Sequence, residues 1–333
     1  MDLSLFFAGT GGSVPTARRG LPAILLRRGG DRVLFDCGEG TQRQLVASAG
    51  LADVTEIFLT HFHTDHWLGL PGMLKTFDLR GRDRPLAIHG PPGLQALMAL
   101  IVKMSGRVSY PLQIVELSPH EQLRRDGYRI APVAVAHRGA AYGYVIYEDE
   151  RPGVFDAEGA ARLGLVPGPE FGRVQRGETI RGITPEQVLG PPRPGRKIVL
   201  SGDTSPCPAL AVAAHDADLL VHEATFAAEE SDRARETGHS TAGQAATVAR
   251  EAGVGMLALN HVSTRYPLRV LRDEARAIFP GAVIPRDFDT IELPLAERGG
   301  PRLVRWEDRD PGVAPAGGPV AAEVPARVDA PPA

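Results

Sequence analysis

The stretch Thr60-His61-Phe62-His63-Thr64-Asp65-His66 stands directly behind an apolar, strand-like run at 55–59 and ahead of Gly69-Leu70-Pro71-Gly72. Histidines two apart on an extended segment point the same way, and a turn after them carries Asp65 and His66 to a neighbouring position. Four potential ligands thus fall within six residues. Neutral imidazoles with a carboxylate suit a borderline divalent ion such as zinc, whereas all-sulfur coordination is excluded because the chain has two cysteines, Cys37 and Cys207. A single histidine here has an ordinary reading as a hydrogen-bonded core residue. The whole arrangement at a strand end does not.

The same placement recurs along the chain. His137 ends the apolar run 130–137, Asp203 lies in Ser201-Gly202-Asp203-Thr204 behind 198–200, and His261 follows Met256-Leu257-Ala258-Leu259-Asn260. Each sits at the carboxyl end of an apolar run, from where separate strands can converge on one cleft. Further strand-like runs occupy 3–8, 22–27, 32–36, 86–89, 141–147, 217–221, 255–259, 282–284 and 289–293, with glycines between many of them. Helical patterns occupy 94–103, 156–162, 241–251 with Ser240 or Thr241 as cap, and 270–278. The expected class is α/β.

The 333 residues, 43% hydrophobic and 23% charged, suffice for one large core and exclude wholesale disorder. Lys+Arg number 37 against 40 Asp+Glu, and the resulting formal net charge of -3 excludes a uniformly basic coat for nucleic acid while leaving room for local basic patches. The cysteines are too few for a disulfide framework, which points to a reducing compartment. The N-terminus has no secretory pattern and no 18-residue apolar run occurs, so a soluble, cytoplasmic protein without a membrane partner is expected.

Together with Phe7-Ala8-Gly9-Thr10-Gly11-Gly12-Ser13-Val14-Pro15-Thr16 and Phe35-Asp36-Cys37-Gly38-Glu39-Gly40-Thr41-Gln42-Arg43-Gln44, the histidine motif resembles the metallo-β-lactamase superfamily and, within it, the ribonuclease Z family. The resemblance covers residues 1–295. It implies a four-layer αββα sandwich with two packed mixed sheets and a projecting arm. It also implies two zinc ions per subunit, with manganese or another divalent ion as substitute: His61, His63 and His137 for one, Asp65, His66 and His261 for the other, and Asp203 between them. Asp65 would additionally orient or deprotonate the attacking water. Val221-His222-Glu223-Ala224-Thr225-Phe226 and Gly238-His239-Ser240-Thr241 match family motifs in which the histidine assists the leaving oxygen and the glutamate orients and charges it. The plain alternatives are a capping role for the His239 loop and a packing role for Glu223. His222 reads as structural, pointing away from Glu223 along a strand.

By the same resemblance, His261-Val262-Ser263-Thr264-Arg265-Tyr266 carries a substrate clamp: Ser263 and Arg265 for phosphate, Tyr266 beside the cleaved end. The insertion 150–196 resembles the arm that grips tRNA, with Arg173 and Arg176 as contacts; Gln175 stands where a lysine is more typical. Residues 172–197 hold six basic residues, Arg173, Arg176, Arg181, Arg193, Arg196 and Lys197, against Glu178 and Glu186. The expected organisation is a catalytic domain over 1–307 carrying this arm, then a disordered Pro/Ala/Gly-rich tail over 308–333. The implied activity is removal of the 3′ trailer from precursor tRNA after the discriminator nucleotide, leaving a tRNA 3′-hydroxyl and a trailer 5′-phosphate, by a homodimer. The competing readings are a small-molecule phosphodiesterase or arylsulfatase-like hydrolase of the same fold, and a non-catalytic RNA-binding protein.

Overall fold

Period-two alternation sorts the side chains of the first strand into two cores. Leu3, Leu5 and Phe7 join one buried cluster, whereas Phe6 and Ala8 join another on the opposite face. The computed structural model describes residues 1–51 and 54–309, and in it this double burial repeats across two sheets.

The larger sheet contains β1 (Leu3–Gly9), β2 (Ala23–Arg28), β3 (Asp31–Phe35), β4 (Glu56–Phe58), β5 (Leu86–Gly90) and β6 (Leu112–Glu116). The second contains β7 (Leu123–Arg125), β8 (Tyr128–Ala134), β9 (Tyr142–Glu148), β10 (Lys197–Leu200), β11 (Leu219–Glu223) and β12 (Met256–Asn260). Finally β13 (Thr290–Glu292) and β14 (Arg302–Val304) return to the first sheet, whose order is β14-β13-β1-β2-β3-β4-β5-β6. The second runs β12-β11-β10-β9-β8-β7. Both sheets are mixed: β3 to β6 and β10 to β12 pair in parallel, the remaining neighbours antiparallel.

Between the sheets lies a core containing Phe35, Phe58, Tyr144, Ile198 and Val221. Helices Leu70–Leu79 and Leu94–Ser105 cover the outer face of the first sheet, and helices Pro208–Ala214, Ala242–Glu251 and Leu268–Ile278 that of the second. This is the four-layer αββα sandwich of the metallo-β-lactamase fold. Two tyrosines tie the sheets near the histidine motif: Tyr144 donates to Leu59 O at 2.7 Å and Tyr142 to Leu117 O at 2.9 Å. The main chain of Tyr142 also donates to Thr60 O at 2.8 Å, so the motif is anchored to both sheets.

The insertion 150–196 has its own small core of Ala160, Leu165, Val174, Ile180, Ile183 and Val188. Bridges Arg151↔Arg193 and Phe155↔Leu189 form its stem, with helices Ala157–Arg162 and Pro169–Gln175 beyond. Two residues counted as basic in this region belong elsewhere. Arg196 is buried in the body, where it donates to Glu148, Leu293 O and Met1 O, and Lys197 opens β10 with Nζ on His215 O. That leaves four arginines against two glutamates over 172–195. Arg173 and Arg181 are paired with Glu178 and Glu170.

Several boundaries shift. The eighth strand stops at Ala134, so His137 lies in the turn behind it rather than on the strand, and 282–284 makes an isolated bridge, Val283 to Ala258, instead of a strand. Helices Thr41–Ala47 and Leu70–Leu79 add to the helical patterns read from the sequence; Gly40 and Gly69 cap them, and Pro71 is in the first turn, where its missing N–H costs nothing. The last described helix, Trp306–Arg309, crosses the expected tail boundary at 308, and 310–333 lie outside the described residues.

Candidate active site and metal centre

The site is assembled where strands of both sheets end. His61 follows β4, His63 caps the one-turn helix Thr64–Trp67 that carries Asp65 and His66, Asp203 follows β10 and His261 follows β12. His61, His66, Asp203 and His261 are buried, while His63 is exposed, so the cluster opens to solvent on one side.

The seven ligand candidates converge in two groups. His61, His63, His137 and Asp203 form one and Asp65, His66 and His261 the other, with the donor atoms of each group within 4.8 Å of one another. Asp203 Oδ2 joins them, at 3.3 Å from Nε2 of His66, 3.3 Å from Nε2 of His261 and 3.7 Å from Nε2 of His61.

The outer nitrogens of these rings are already committed. His66 Nδ1 faces Asp36 Oδ2 at 2.8 Å, His137 Nδ1 faces Gly238 O at 2.7 Å, and His261 Nδ1 meets the Thr225 hydroxyl at 2.8 Å. A carbonyl or carboxylate on Nδ1 keeps the proton there and turns the Nε2 lone pair inward. His63 Nδ1 lies 3.0 Å from His61 Nε2 and 3.1 Å from His137 Nε2, so three ring nitrogens gather around one point. His66 Nε2 is buried and has no hydrogen-bond partner. Inward lone pairs, an orphaned buried nitrogen and intervening carboxylates are what a divalent cation requires, and the residues fit one.

The electrostatics divide the rings: against burial, the carboxylates of Asp203 and Asp36 raise His66 well above an ordinary histidine, so a cation there would take the place of a proton. Burial opposes ionisation of Asp203, yet His261, His66 and His61 hold its carboxyl well below the ordinary range. Asp65 is likewise held low against burial by its bond to His261 and the nearby His66. Burial and neighbouring rings lower His61, keeping it neutral as a ligand must be.

Beside this cluster, Glu223 is 2% exposed and its carboxylate is saturated. Oε1 accepts from Thr204 N–H at 3.0 Å and meets His239 Nδ1 at 2.8 Å; Oε2 accepts from Thr225 N–H at 3.1 Å and the Thr225 hydroxyl at 2.7 Å. Burial lowers the basicity of His239, but Glu223 more than reverses this and raises it above an ordinary histidine. The helix cap is Thr241, which forms a capping box with Gln244, so His239 has no capping duty. His222 is fully buried, with Nδ1 on Glu223 O.

Ser263 accepts the main-chain N–H of Arg265 at 3.3 Å, and both Arg265 and Tyr266 bond the carboxylate of Glu230. Arg173 and Arg176 lie exposed on the arm, in and just behind helix Pro169–Gln175, and neither belongs to the ligand cluster. Sequence reading missed Asp36, Thr60 and Thr225. Asp36 accepts from Thr60 N–H at 2.8 Å and faces His66; its φ of 59°, like the 53° of His261, is a strained backbone held at a functional site. Asp36 was in view within the glycine-rich stretch after β3, with nothing to show which histidine it would meet.

The loop Gly11–Ser13 closes the second group. A Cβ on Gly12 would stand 2.5 Å from His261 Nδ1, and Ser13 N–H donates to Asp65 Oδ2 at 2.9 Å. Only glycine permits that approach.

Comparison with known proteins narrows the fold to one branch. The pattern of the Metallo-beta-lactamase superfamily matches residues 19–172. A Ribonuclease Z of Myxococcus xanthus is 46% identical over 305 residues, spanning 89% of this chain and 99% of its own. The chain belongs to the ribonuclease Z family. A ribonuclease Z of Haloarcula marismortui is 44% identical over 93% of this chain and 99% of its own. The crystal structure of human tRNase Z, short form, superposes with a TM-score of 0.65 at 28% identity, covering 87% of this chain and 99% of the human one. With that family go a metallo-hydrolase fold and a divalent-metal site made of histidine and aspartate. Among the described residues no helix is long and apolar enough to cross a membrane.

Proposed function

We propose that this ribonuclease Z relative is a tRNA 3′-processing endoribonuclease: it hydrolyses the phosphodiester behind the discriminator nucleotide and leaves a 3′-hydroxyl on tRNA and a 5′-phosphate on the trailer. The observation that carries the reading is the pairing of Glu223 with His239 at 2.8 Å beside a seven-residue cluster of metal-ligand type.

His61, His63 and His137 would hold one zinc ion, Asp65, His66 and His261 a second, and Asp203 would contact both; manganese or another divalent ion could replace zinc. Such a pair supplies positive charge that acidifies water and stabilises the attacking and leaving oxygens of an in-line displacement.

The chain's own residues supply positioning and protons. Asp65, held by Ser13 N–H, accepts a proton from the attacking water or orients it. His239 binds Glu223 through Nδ1, which leaves Nε2 to give a proton to the departing 3′-oxygen. Glu223 stabilises the protonated ring and fixes its tautomer. Ser263 and Arg265 contact the RNA near the cleaved end with Tyr266 packed beside them, while the arm, through Arg173 and Arg176, holds the tRNA body. The unit of 1–307 with its inserted arm acts as a homodimer in the cytoplasm, one subunit's arm serving its partner's site, and the tail from 308 takes no part in the chemistry.

The test is incubation of end-labelled precursor tRNA with zinc-loaded protein, mapping both product ends and comparing Asp65→Ala. Release of a 5′-phosphorylated trailer that disappears in the variant is expected. Tight precursor binding without a trailer would mean an RNA-binding protein instead.

A further inference from the structure

The connection between β11, which ends at Glu223, and helix Ala242–Glu251 carries Thr225, Glu230 and His239; another, behind β12, carries His261, Ser263, Arg265 and Tyr266. A single side chain ties them on the surface. Glu230 Oε1 accepts from Arg265 Nη2 at 2.7 Å, Glu230 Oε2 accepts from Arg265 Nε at 2.9 Å, and the Tyr266 hydroxyl also donates to Oε2. This is a two-point fork on the guanidinium plus a bond from the adjacent residue.

The loop bearing Glu230 is itself anchored. Glu274 accepts from Ala228 N–H at 2.8 Å through one oxygen and from Gly243 N–H at 2.6 Å through the other, pinning the turn Ala228–Glu230 to the first turn of the helix behind His239. Tyr266 is buried in the core cluster that also holds Phe226, Ala227 and Val262. Tyr266 and the loop are thus fixed, whereas the Arg265 side chain is 45% exposed and would otherwise sample many rotamers.

We propose that Glu230 is a positioning residue for the RNA substrate, holding Arg265 in one orientation beside the site before a phosphate arrives. This rests on the reading of Arg265 as a phosphate contact. An isolated surface ion pair does little. A fork to a carboxylate that also anchors a buried tyrosine instead removes rotamer freedom that binding would otherwise have to remove, and the guanidinium keeps Nη1 for a phosphate oxygen. The alternative physical role has the opposite sign: a carboxylate that competes with phosphate for the guanidinium would weaken RNA binding, not assist it.

The experiment is steady-state cleavage of precursor tRNA by Glu230→Ala, Glu230→Gln, Arg265→Ala and the Glu230→Ala/Arg265→Ala pair, with metal content and melting temperature as checks on folding. Positioning predicts that Glu230→Ala raises KM about tenfold with kcat within about twofold, since the loss falls on binding rather than on the bond-breaking step. Glu230→Gln, which keeps an acceptor oxygen, should fall between, and the pair should be no worse than Arg265→Ala alone. An unchanged or lowered KM in Glu230→Ala, or additive losses in the pair, overturns the proposal. Failure of the wild-type protein to release a trailer would sink the RNA reading itself. The brace is also read without RNA: the Arg265 Nε–H resonance should be protected from solvent exchange in the wild type and lose that protection in Glu230→Ala, and equal exchange in both would refute it.

Discussion

Glu223 Oε1 and His239 Nδ1 lie 2.8 Å apart, the carboxylate buried and the ring partly open to the cleft. Because Glu223 takes the Nδ1 side, Nε2 is the nitrogen left to serve the substrate. His239→Ala should therefore lower kcat by about 10²–10⁴-fold with a smaller effect on KM, the range for a lost general acid. Glu223→Gln, which keeps shape but removes charge, should cost about 10–100-fold. Single-turnover cleavage of precursor tRNA checks both; poorer binding with unchanged turnover in His239→Ala would reverse the assignment.

The buried Nε2 of His66 predicts a metal effect separable from activity. His66→Ala should retain the fold and lose about one of two metal equivalents together with most turnover. Asp36→Asn, which disturbs the partner of His66 Nδ1, should weaken metal affinity about 10–100-fold. Elemental analysis after dialysis, alongside circular dichroism, reads both. Two ions per chain and full turnover in His66→Ala would defeat the ligand assignment.

The arm has a core of its own, so it can be excised at its stem. Replacing residues 156–188 with two glycines keeps the Phe155↔Leu189 bridge that closes the stem. Cleavage of precursor tRNA should then fall at least about tenfold in kcat/KM, while a small phosphodiester remains usable, since contacts that position RNA do not take part in bond breaking. Equal losses on both substrates would contradict that division of labour.

Acid stability should reflect Glu56. Burial pushes its carboxyl up, but hydrogen bonds from His89 and Arg125 pull it down to about 2. A carboxylate lowered in the folded state stabilises above its unfolded value and loses that contribution as pH falls through the folded one. Wild type should lose up to about 3 kcal/mol from this group between about pH 4.5 and 2, and Glu56→Gln should show a correspondingly flatter decline in this window. Urea melts across that range make the measurement; parallel curves would show that Glu56 contributes nothing.

Much of this was legible in one dimension. The His-x-His-x-Asp-His spacing needs no long-range information, because an extended pair followed by one helical turn is local geometry. Polar residues at the ends of apolar runs marked Asp203 and His261 the same way. The helix Leu70–Leu79 was not among the patterns read, because Pro71 and Gly72 in its first turn weaken the local helical signal until apolar side chains such as Met73 and Phe77 find a sheet to cover. Arg196 read as arm charge because its buried partner, Glu148, is 48 residues away in the chain.

Residue order alone therefore determined which chemical groups the protein carries, their local spacing and the α/β mixture of strand-like and helical runs, while the layered sandwich was legible only through the family resemblance. Tertiary structure decided how those groups are held: Asp36 behind His66, Thr225 between Glu223 and His261, Ser13 on Asp65, Glu230 on Arg265. The reason is physical. Periodicity records which face of a strand or helix is buried, whereas a hydrogen bond between distant residues exists only once packing has brought its two ends within about 3 Å.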